Sequence, residues 1–270
     1  MEPKTHKYIT TGKITNKFGI DFKSATQIFS LRKALSNVRI SGLHIHIGSQ
    51  ITKAEPYVAA IGKMVDFIEK LRKKGIRLEY LNIGGGLGII YDKETPQTAE
   101  KFARKVLPLL KRTGLKIILE PGRFIVGQAG VLVTKVLYIK STPRKKFVIV
   151  DAGMNDLIRP ALYEAHHNIL PLRTTNHETR ATERYDVVGP ICESADFFAK
   201  DRKLPKVKEG DYLAIMSAGA YGFSMSSNYN SRCRPEEVVV VKDKVFVVRK
   251  RETLEDLVRN EEVPSFLLGL

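Results

Sequence analysis

The sequence predicts an α/β protein in two parts, with βα units over residues 1–130 and a mainly β domain over residues 131–270. Three observations predict it. In the first part, short apolar runs alternate with stretches whose apolar residues recur every three or four positions, the marks of strand and amphipathic helix in turn. The links between them are short, so successive strands lie parallel with right-handed crossovers. Past Gly130 the helical spacing stops, and strand-like runs follow one another between Pro, Gly and charged turns.

The first expected strand is Lys17-Phe18-Gly19-Ile20, leading into a capping box at Ser24–Gln27 and a helix through Ile28, Leu31 and Leu35. Strand Gly42–Ile47 follows. Thr52-Lys53-Ala54-Glu55 is a second capping box, opening a helix with Val58, Ile61, Val65, Ile68 and Leu71 on one face and Gly75 closing it. Strand Leu78–Ile83 ends in glycines, a helix carries Phe102, Val106 and Leu110, and strand Lys116–Leu119 runs into Glu120-Pro121-Gly122-Arg123. Four strands with three helices between them make half of an eightfold barrel, which takes ~250 residues when whole. Four units cannot close, and an open parallel edge stays uncovered. The expectation is therefore either a small open sheet or a partial (β/α)8 TIM-like barrel, second half only, whose first half lies outside the chain. In the second part the expected strands are Val131–Ile139, Lys146–Val150, Tyr185–Val188, Tyr212–Met216 and Val238–Val248.

Composition narrows the functional classes. With 270 residues, 43% of them apolar, the chain can bury real cores. No run approaches the ~18 apolar residues of a spanning helix, and no apolar stretch follows Met1–Lys7 as in a secretory leader. Cys192 and Cys233 alone make neither a disulfide framework nor a CxxC metal spacing, so a cytoplasmic protein is expected. The formal charge of +16 invites a nucleic-acid reading, but the 45 basic residues are interleaved with acids and no aromatic-basic module accompanies them. We expect no nucleic-acid partner and no membrane partner. The excess positive charge can instead steer anionic small molecules.

Several clusters carry chemistry. The Glu120–Arg123 turn sets a carboxylate and a guanidinium at a strand end. It is either an exposed turn with an ion pair or an anion site in which the guanidinium forks onto phosphate oxygens while Glu120 holds a proton-bearing atom. Gly84-Gly85-Gly86 with Gly88 ends the preceding strand, as a flexible turn or as a nest of main-chain N–H groups for phosphate; the spacing does not fit a dinucleotide fingerprint. His44 and His46 share one strand face, opposite Leu43, Ile45 and Ile47. A metal pair lacks an evident third ligand; His46, nearest the C-terminal mouth, can stack on a flat ring or be an ordinary core histidine. In the second part, the loop Asp151–Pro160 with Tyr163, the run Pro190–Asp196 with its thiol and two carboxylates, and Gly219-Ala220-Tyr221-Gly222 supply an acid, a guanidinium, a phenol and a thiol.

These segments, His44–Gln50, Asn82–Gly88, Glu120–Arg123, Asp151–Tyr163, Gly189–Asp196 and Ala218–Arg232, resemble in order those of the pyridoxal-phosphate-dependent decarboxylases of the alanine racemase-like fold. The likeness is strongest to the branch that converts meso-2,6-diaminopimelate to L-lysine and CO₂, with the ornithine/arginine-type decarboxylases as the alternative and a non-catalytic dimer partner as a further one. The resemblance implies a pyridoxal 5'-phosphate cofactor, with His46 stacked on its ring, Ser49 near its phosphate, Gly85, Gly86, Pro121, Gly122 and the Arg123 backbone around that phosphate, and Glu120 on the ring nitrogen. It implies that Arg123, Arg159, Tyr163 and Glu193 hold the distal amino-acid end of a small-molecule substrate. Tyr221 would touch cofactor and substrate, and Cys192 would return the proton. It further implies a homodimer whose active site is shared across the interface. Two positions depart from the family pattern, Ala195 for a usual glycine and Cys233 for a usual proline; neither has an assigned role. The family anchors its cofactor on a lysine in a Tyr-Ala-x-Lys-Ala-Asn motif of the N-terminal barrel half, and no such motif occurs here. Lys17 precedes its expected strand and Lys135 belongs to the β domain. The missing N-terminal barrel half and the missing lysine are thus one expectation, and with them inactivity of this chain alone.

Overall fold

The computed structural model describes residues 17–172 and 181–269. The expectation drawn from Met1–Lys7 lies outside them. The chain forms two compact units that divide between Ala129 and Gly130. Among the described residues no helix is long and apolar enough to cross a membrane.

In the first unit, β1 (Gly42–His44), β2 (Tyr80–Asn82) and β3 (Lys116–Ile118) lie in chain order as a three-stranded parallel sheet, with Leu43, Leu81 and Ile117 in register. Helices α1 (Phe22–Leu31), α2 (Glu55–Lys73) and α3 (Ala99–Thr113) surround it. The apolar stripes read from the sequence are the ones buried: Ile61, Val65, Ile68 and Leu71 of α2 and Phe102, Val106 and Leu110 of α3 join Leu81 and Ile83 in one core. Tyr57 meets Phe102 edge to face at 5.0 Å. Helix α2 ends as its glycine predicts. Gly75, at φ +69°, lets its own N–H reach the Arg72 carbonyl and the Ile76 N–H reach the Leu71 carbonyl, and Ile76 packs into the core beside Leu71.

Three local expectations differ from the structure. Residues 17–20 form a bend rather than a strand, with Gly19 at φ +74°, so the sheet of this unit has three strands among the described residues instead of four. Helix α1 is capped by Asp21, whose Oδ1 accepts from Lys23 N at 2.7 Å and Ser24 N at 2.9 Å; the Ser24 box lies one turn inside the helix. An ionised carboxylate close to the first free N–H groups outcompetes a hydroxyl further along. The Thr52 box does not form either. Helix α2 starts after Ala54 with Pro56 in its first turn, and Glu55 pairs with Lys105 of α3.

The second unit is built on one six-stranded sheet. Its strands are β4 (Leu132–Ser141), β5 (Lys146–Val150), β6 (Ile169–Leu172), β7 (Thr182–Val188), β8 (Phe197–Pro205) and β9 (Tyr212–Ile215), in the order β6-β9-β4-β5-β7-β8. Only the β5–β7 pair is parallel. Strand β4 is long enough to pair with β9 through Leu132–Lys135 and with β5 through Val136–Ser141, and the outer strands β6 and β8 approach each other, so the sheet curls toward closure. Val136, Val148, Val187, Leu213 and Ile215 fill its interior with no exposed surface. Each such side chain contributes about 1.5–3 kcal/mol by leaving water. Two short helices, α4 (Gly122–Val126) of the first unit and α5 (Arg159–Tyr163) of the second, each carry an arginine near their start. The run expected as one strand over Val238–Val248 is a hairpin, β10 (Glu237–Val241) and β11 (Lys244–Arg249), turning at Lys242 with φ +58°. Helix α6 (Leu254–Val258) follows, opened by a capping box between Thr253 and Asp256.

Candidate active site

The ends of the three parallel strands gather the candidate residues of the first unit. Beyond β1 the chain turns through Gly48, Ser49 and Gln50; beyond β2 it turns through Gly84–Gly88, and the two turns are laced together. Ile51 N donates to the Gly86 carbonyl at 2.8 Å and Gly88 N to the Ile51 carbonyl at 3.0 Å. The Gln50 carboxamide exchanges two bonds with the backbone of Ile89, and the Tyr57 hydroxyl donates to the Gly85 carbonyl at 2.8 Å. Gly85 and Gly86 are glycine for steric reasons. A Cβ on Gly85 would overlap the Glu120 carbonyl oxygen, and one on Gly86, at φ +94°, would overlap that of Gly48. The glycine run is a pinned cradle and not a flexible turn.

His46 and Glu120 face this cradle. As expected, His44 and His46 share the open face of the first strand while Leu43, Ile45 and Ile47 pack on the core. Gly85 N donates to His46 Nδ1 at 3.3 Å, which requires that nitrogen to be bare and leaves the proton on Nε2. Partial burial against the glycine backbone pushes the imidazole below its usual pKa, and His44 adds to that; the Glu120 carboxylate pulls the other way and does not prevail. Glu120 Oε1 accepts from Asn82 Nδ2 at 2.6 Å and lies 3.5 Å from His44 Nε2. Both side chains are about half exposed, 53% and 49%, so solvent screens the contact and its worth is at most ~1 kcal/mol.

Arg123 is buried. Its two terminal nitrogens donate to the Tyr91 hydroxyl at 2.6 Å and to Ser49 Oγ at 3.0 Å, which brings Ser49 and Arg123 together. Pro121 and Gly122 make the tight turn between Glu120 and Arg123, with Gly122 N on the Glu120 carbonyl at 2.9 Å. A Cβ on Gly122 would meet nothing within 4 Å, so this glycine serves the open side of the turn. The unit therefore presents, side by side, a carboxylate, a flat imidazole, a hydroxyl beside a guanidinium, and main-chain N–H groups.

In the second unit the loop Asp151–Asp156 is fixed by its own side chains. Asp151 accepts from Thr134 Oγ1 at 2.6 Å and Lys135 N at 2.8 Å, and Arg232 bridges the Asp151 carbonyl and Asn155. A carboxylate from another segment, Asp196, is nearly inaccessible and accepts from Met154 N and Ile191 N, each at 2.7 Å. It ties the Cys192-Glu193 segment to the Asp151 loop, a structural part that the pattern of residues did not assign. Cys192 is exposed, and Glu193 next to it accepts from the Tyr229 hydroxyl at 2.6 Å. That bond holds the proton on Tyr229 and raises its pKa. Arg159 is buried and Tyr163 half-buried on α5; Arg159 Nη1 stands 2.8 Å from Nε2 of the fully buried His167. Tyr221 is exposed with φ +60°, a left-handed conformation that a tyrosine adopts only at a cost of about 1–3 kcal/mol.

Asn82, Tyr91, His167 and Tyr229 had no assigned role. Asn82 and Tyr229 lie inside segments that were singled out; Tyr91 and His167 carry no local pattern and are recognisable only once the chain is folded.

Comparison with known proteins identifies the family. Residues 23–219 match the family described as "Pyridoxal-dependent decarboxylase, C-terminal sheet domain". The diaminopimelate decarboxylase of Haemophilus influenzae is 48% identical over 258 residues, 95% of this chain and 61% of that protein. The crystal structure of diaminopimelate decarboxylase from Helicobacter pylori complexed with L-lysine superposes with a TM-score of 0.89 at 44% identity, covering 99% of this chain and 64% of that one. Lysine/ornithine decarboxylase of Vibrio vulnificus, complexed with cadaverine, gives 0.71 at 27% identity over 79% of this chain and 57% of that one. The chain thus spans about three fifths of the length of the curated relatives it matches. With a family match across most of its length and the glycine cradle, Glu120 turn and Asp151 loop all in place, the chain belongs to the pyridoxal-dependent decarboxylase family.

Proposed function

We propose that this chain serves the pyridoxal-phosphate-dependent decarboxylation of meso-2,6-diaminopimelate to L-lysine and CO₂. In this reading residues 1–130 are the C-terminal half of a (β/α)8 barrel that binds the cofactor, and residues 131–270 are the β-rich domain. The enzyme works as a homodimer with a shared active site. The observation that carries the reading is the convergence of Glu120, His46 and the Gly85-Gly86 backbone at the ends of β1–β3, where Gly85 touches both of the others.

This donor set fits the cofactor. When bound, pyridoxal phosphate supplies an electron sink for the charge left at Cα as CO₂ departs. Glu120, aimed by Asn82, keeps a proton on the ring nitrogen, without which the ring cannot accept that charge. Neutral His46 would stack on the ring, and its fixed tautomer would add no positive charge there. Ser49, Gly86, Gly122 and the Arg123 main chain would hold the phosphate; the Arg123 guanidinium would serve the distal carboxylate of the substrate, as would Arg159 and Tyr163, and Glu193 its ammonium. Tyr221 would touch cofactor and substrate, its strained backbone fitting a residue fixed for function. Cys192, exposed and beside Glu193, would return a proton to Cα once the carboxylate has left as CO₂.

The likeness to diaminopimelate decarboxylases, closer than that to the lysine/ornithine enzyme, supports a distal end bearing both carboxylate and ammonium rather than a bare amine. The test offers meso-diaminopimelate and ornithine in competition, with pyridoxal phosphate, and separates lysine from putrescine by chromatography. It is run on the chain alone and on the chain joined to the part of a relative that the match leaves uncovered. Lysine formation supports the reading; preferential putrescine formation sinks the substrate assignment.

A further inference from the structure

His167 is a fully buried histidine, and the reaction proposed above makes no use of it. It lies two residues before β6. The β6–β9 ladder pairs Ile169 with Ile215 and continues one residue further, Met216 N donating to the Asn168 carbonyl at 2.8 Å. That extra rung brings the Met216 carbonyl to 2.7 Å from His167 Nδ1. A carbonyl oxygen has only lone pairs to offer, so Nδ1 must carry the proton and donate. On the other side of the ring, Nε2 is 2.8 Å from Arg159 Nη1. A guanidinium only donates, so Nε2 must be the bare, accepting nitrogen. Both contacts demand the same species, a neutral imidazole with its proton on Nδ1. The Arg202 guanidinium donates to the His167 carbonyl at 2.8 Å and fixes the residue's backbone as well.

We infer that His167 is the positioning residue of Arg159: the strand ladder sets the histidine tautomer, and the tautomer anchors one arm of the guanidinium fork. Helix α5 has five residues, and His167 brings Arg159 an acceptor from outside it. With Nη1 tethered to the ring, the direction in which the rest of the fork points is set by the fold. Resting on the function proposed above, that direction determines how the distal carboxylate of the substrate is met, so His167 acts on substrate recognition without touching substrate.

The experiment begins with the unaltered protein free of ligand. Long-range ¹H–¹⁵N spectra of the histidine rings report the tautomer of His167; the proton is expected on Nδ1, and a proton on Nε2 alone, or on both nitrogens at neutral pH, overturns the inference. Next come His167→Gln and His167→Leu. A glutamine can accept from Arg159 with its oxygen and donate to the Met216 carbonyl with its nitrogen, whereas leucine can do neither. The side-chain ¹⁵N relaxation of Arg159 is expected to show an ordered guanidinium in the unaltered and glutamine proteins and a mobile one in the leucine protein. Unchanged order with leucine overturns the inference. Should the leucine protein not fold, the tautomer and the order of Arg159 with glutamine decide. Last, binding of L-lysine is compared with that of cadaverine, which lacks only the carboxylate. Leucine is expected to weaken lysine about tenfold, the worth of one charge-assisted contact, while leaving cadaverine unchanged, and glutamine to restore lysine binding. An equal loss for both ligands marks a merely structural role and overturns the inference. A mobile Arg159 in a protein that binds no lysine at all leaves His167 as the positioning residue and removes the proposed substrate instead.

Discussion

His46 and His167 are both neutral histidines held by main-chain groups, and they carry opposite tautomers. In the first unit a main-chain N–H points at His46 Nδ1 and forces the proton to Nε2; in the second a main-chain carbonyl faces His167 Nδ1 and forces the proton to stay there. The difference follows from what surrounds each ring. His46 stands on the open face of the first strand beside a glycine turn, where the Gly85 N–H is the available partner. His167 is sealed in a curled, mostly antiparallel sheet, where the carbonyl of an extended ladder is the available partner. One backbone group thus leaves the proton of its histidine on Nε2, and the other leaves Nε2 bare as a lone pair for a guanidinium. The chemistry a histidine offers is set here by which end of a peptide group it meets.

The most severe way to break the His46 side is Gly85→Ala. The new Cβ would overlap the Glu120 carbonyl oxygen, backbone against backbone, so relief requires moving the turn that carries the N–H bonded to His46. A loss of about 4 kcal/mol in urea unfolding, or failure to fold, is expected. A variant within 1 kcal/mol of the unaltered protein would show that the cradle is not rigid. On the other side, His167→Leu strands the Met216 carbonyl and one arm of a buried arginine. About 3 kcal/mol should be lost in the same measurement, and His167→Gln should recover most of it.

A smaller change sharpens the picture of the Glu120 end of the first site. Asn82 Nδ2 donates to Glu120 Oε1 at 2.6 Å while its Oδ1 accepts from Gly84 N at 2.8 Å. One side chain therefore ties the carboxylate to the glycine turn. Asn82→Ala should cost about 1 kcal/mol in stability, since the site is partly open and water can replace the lost bonds. Its effect on pyridoxal phosphate affinity, read by fluorescence titration, should exceed that of a surface alanine control. Equal affinities would remove Asn82 from the site.

The two histidines also mark what the sequence can and cannot reveal. His46 was legible because strand alternation separated it from Leu43, Ile45 and Ile47, and because Gly84–Gly86 and Glu120 announce themselves at the ends of neighbouring strands. His167 was not, because its meaning depends on a carbonyl 49 residues away and on a ladder whose strand β6 holds Pro171. Proline argues against a central strand; β6 is an edge strand paired only with β9, where a missing N–H costs little. Strand β8 was missed for a related reason. Its charged Lys200–Lys203 run carries no strand-like pattern, but Phe198, Ala199 and Leu204 point into the core while Lys200, Asp201 and Lys203 face water. The hairpin at Lys242 was hidden because no glycine or asparagine marks its turn. Motifs around the ligand-facing turns survive in local sequence; the contacts that brace them come from across the fold.

The smallest effect is also the most direct test of the state of His46. Burial holds its pKa below the ordinary 6.5, against the pull of Glu120. The unfolded chain therefore takes up a proton at this residue more readily than the folded one, and protonation favours unfolding. The sign follows: above the unfolded value His46 contributes no pH dependence, and as the pH drops below it stability is lost until the folded residue is itself protonated. Other groups titrate over the same range, so the informative quantity is the difference between the unaltered protein and His46→Phe, which keeps a flat ring without a titrating group. Urea midpoints taken from pH 8 to pH 5 should converge as the pH falls, the unaltered protein declining faster. A gap that widens instead would mean that the imidazolium is stabilised by Glu120, that the bond from Gly85 does not fix the ring, and that the two histidines do not differ in the way their surroundings dictate.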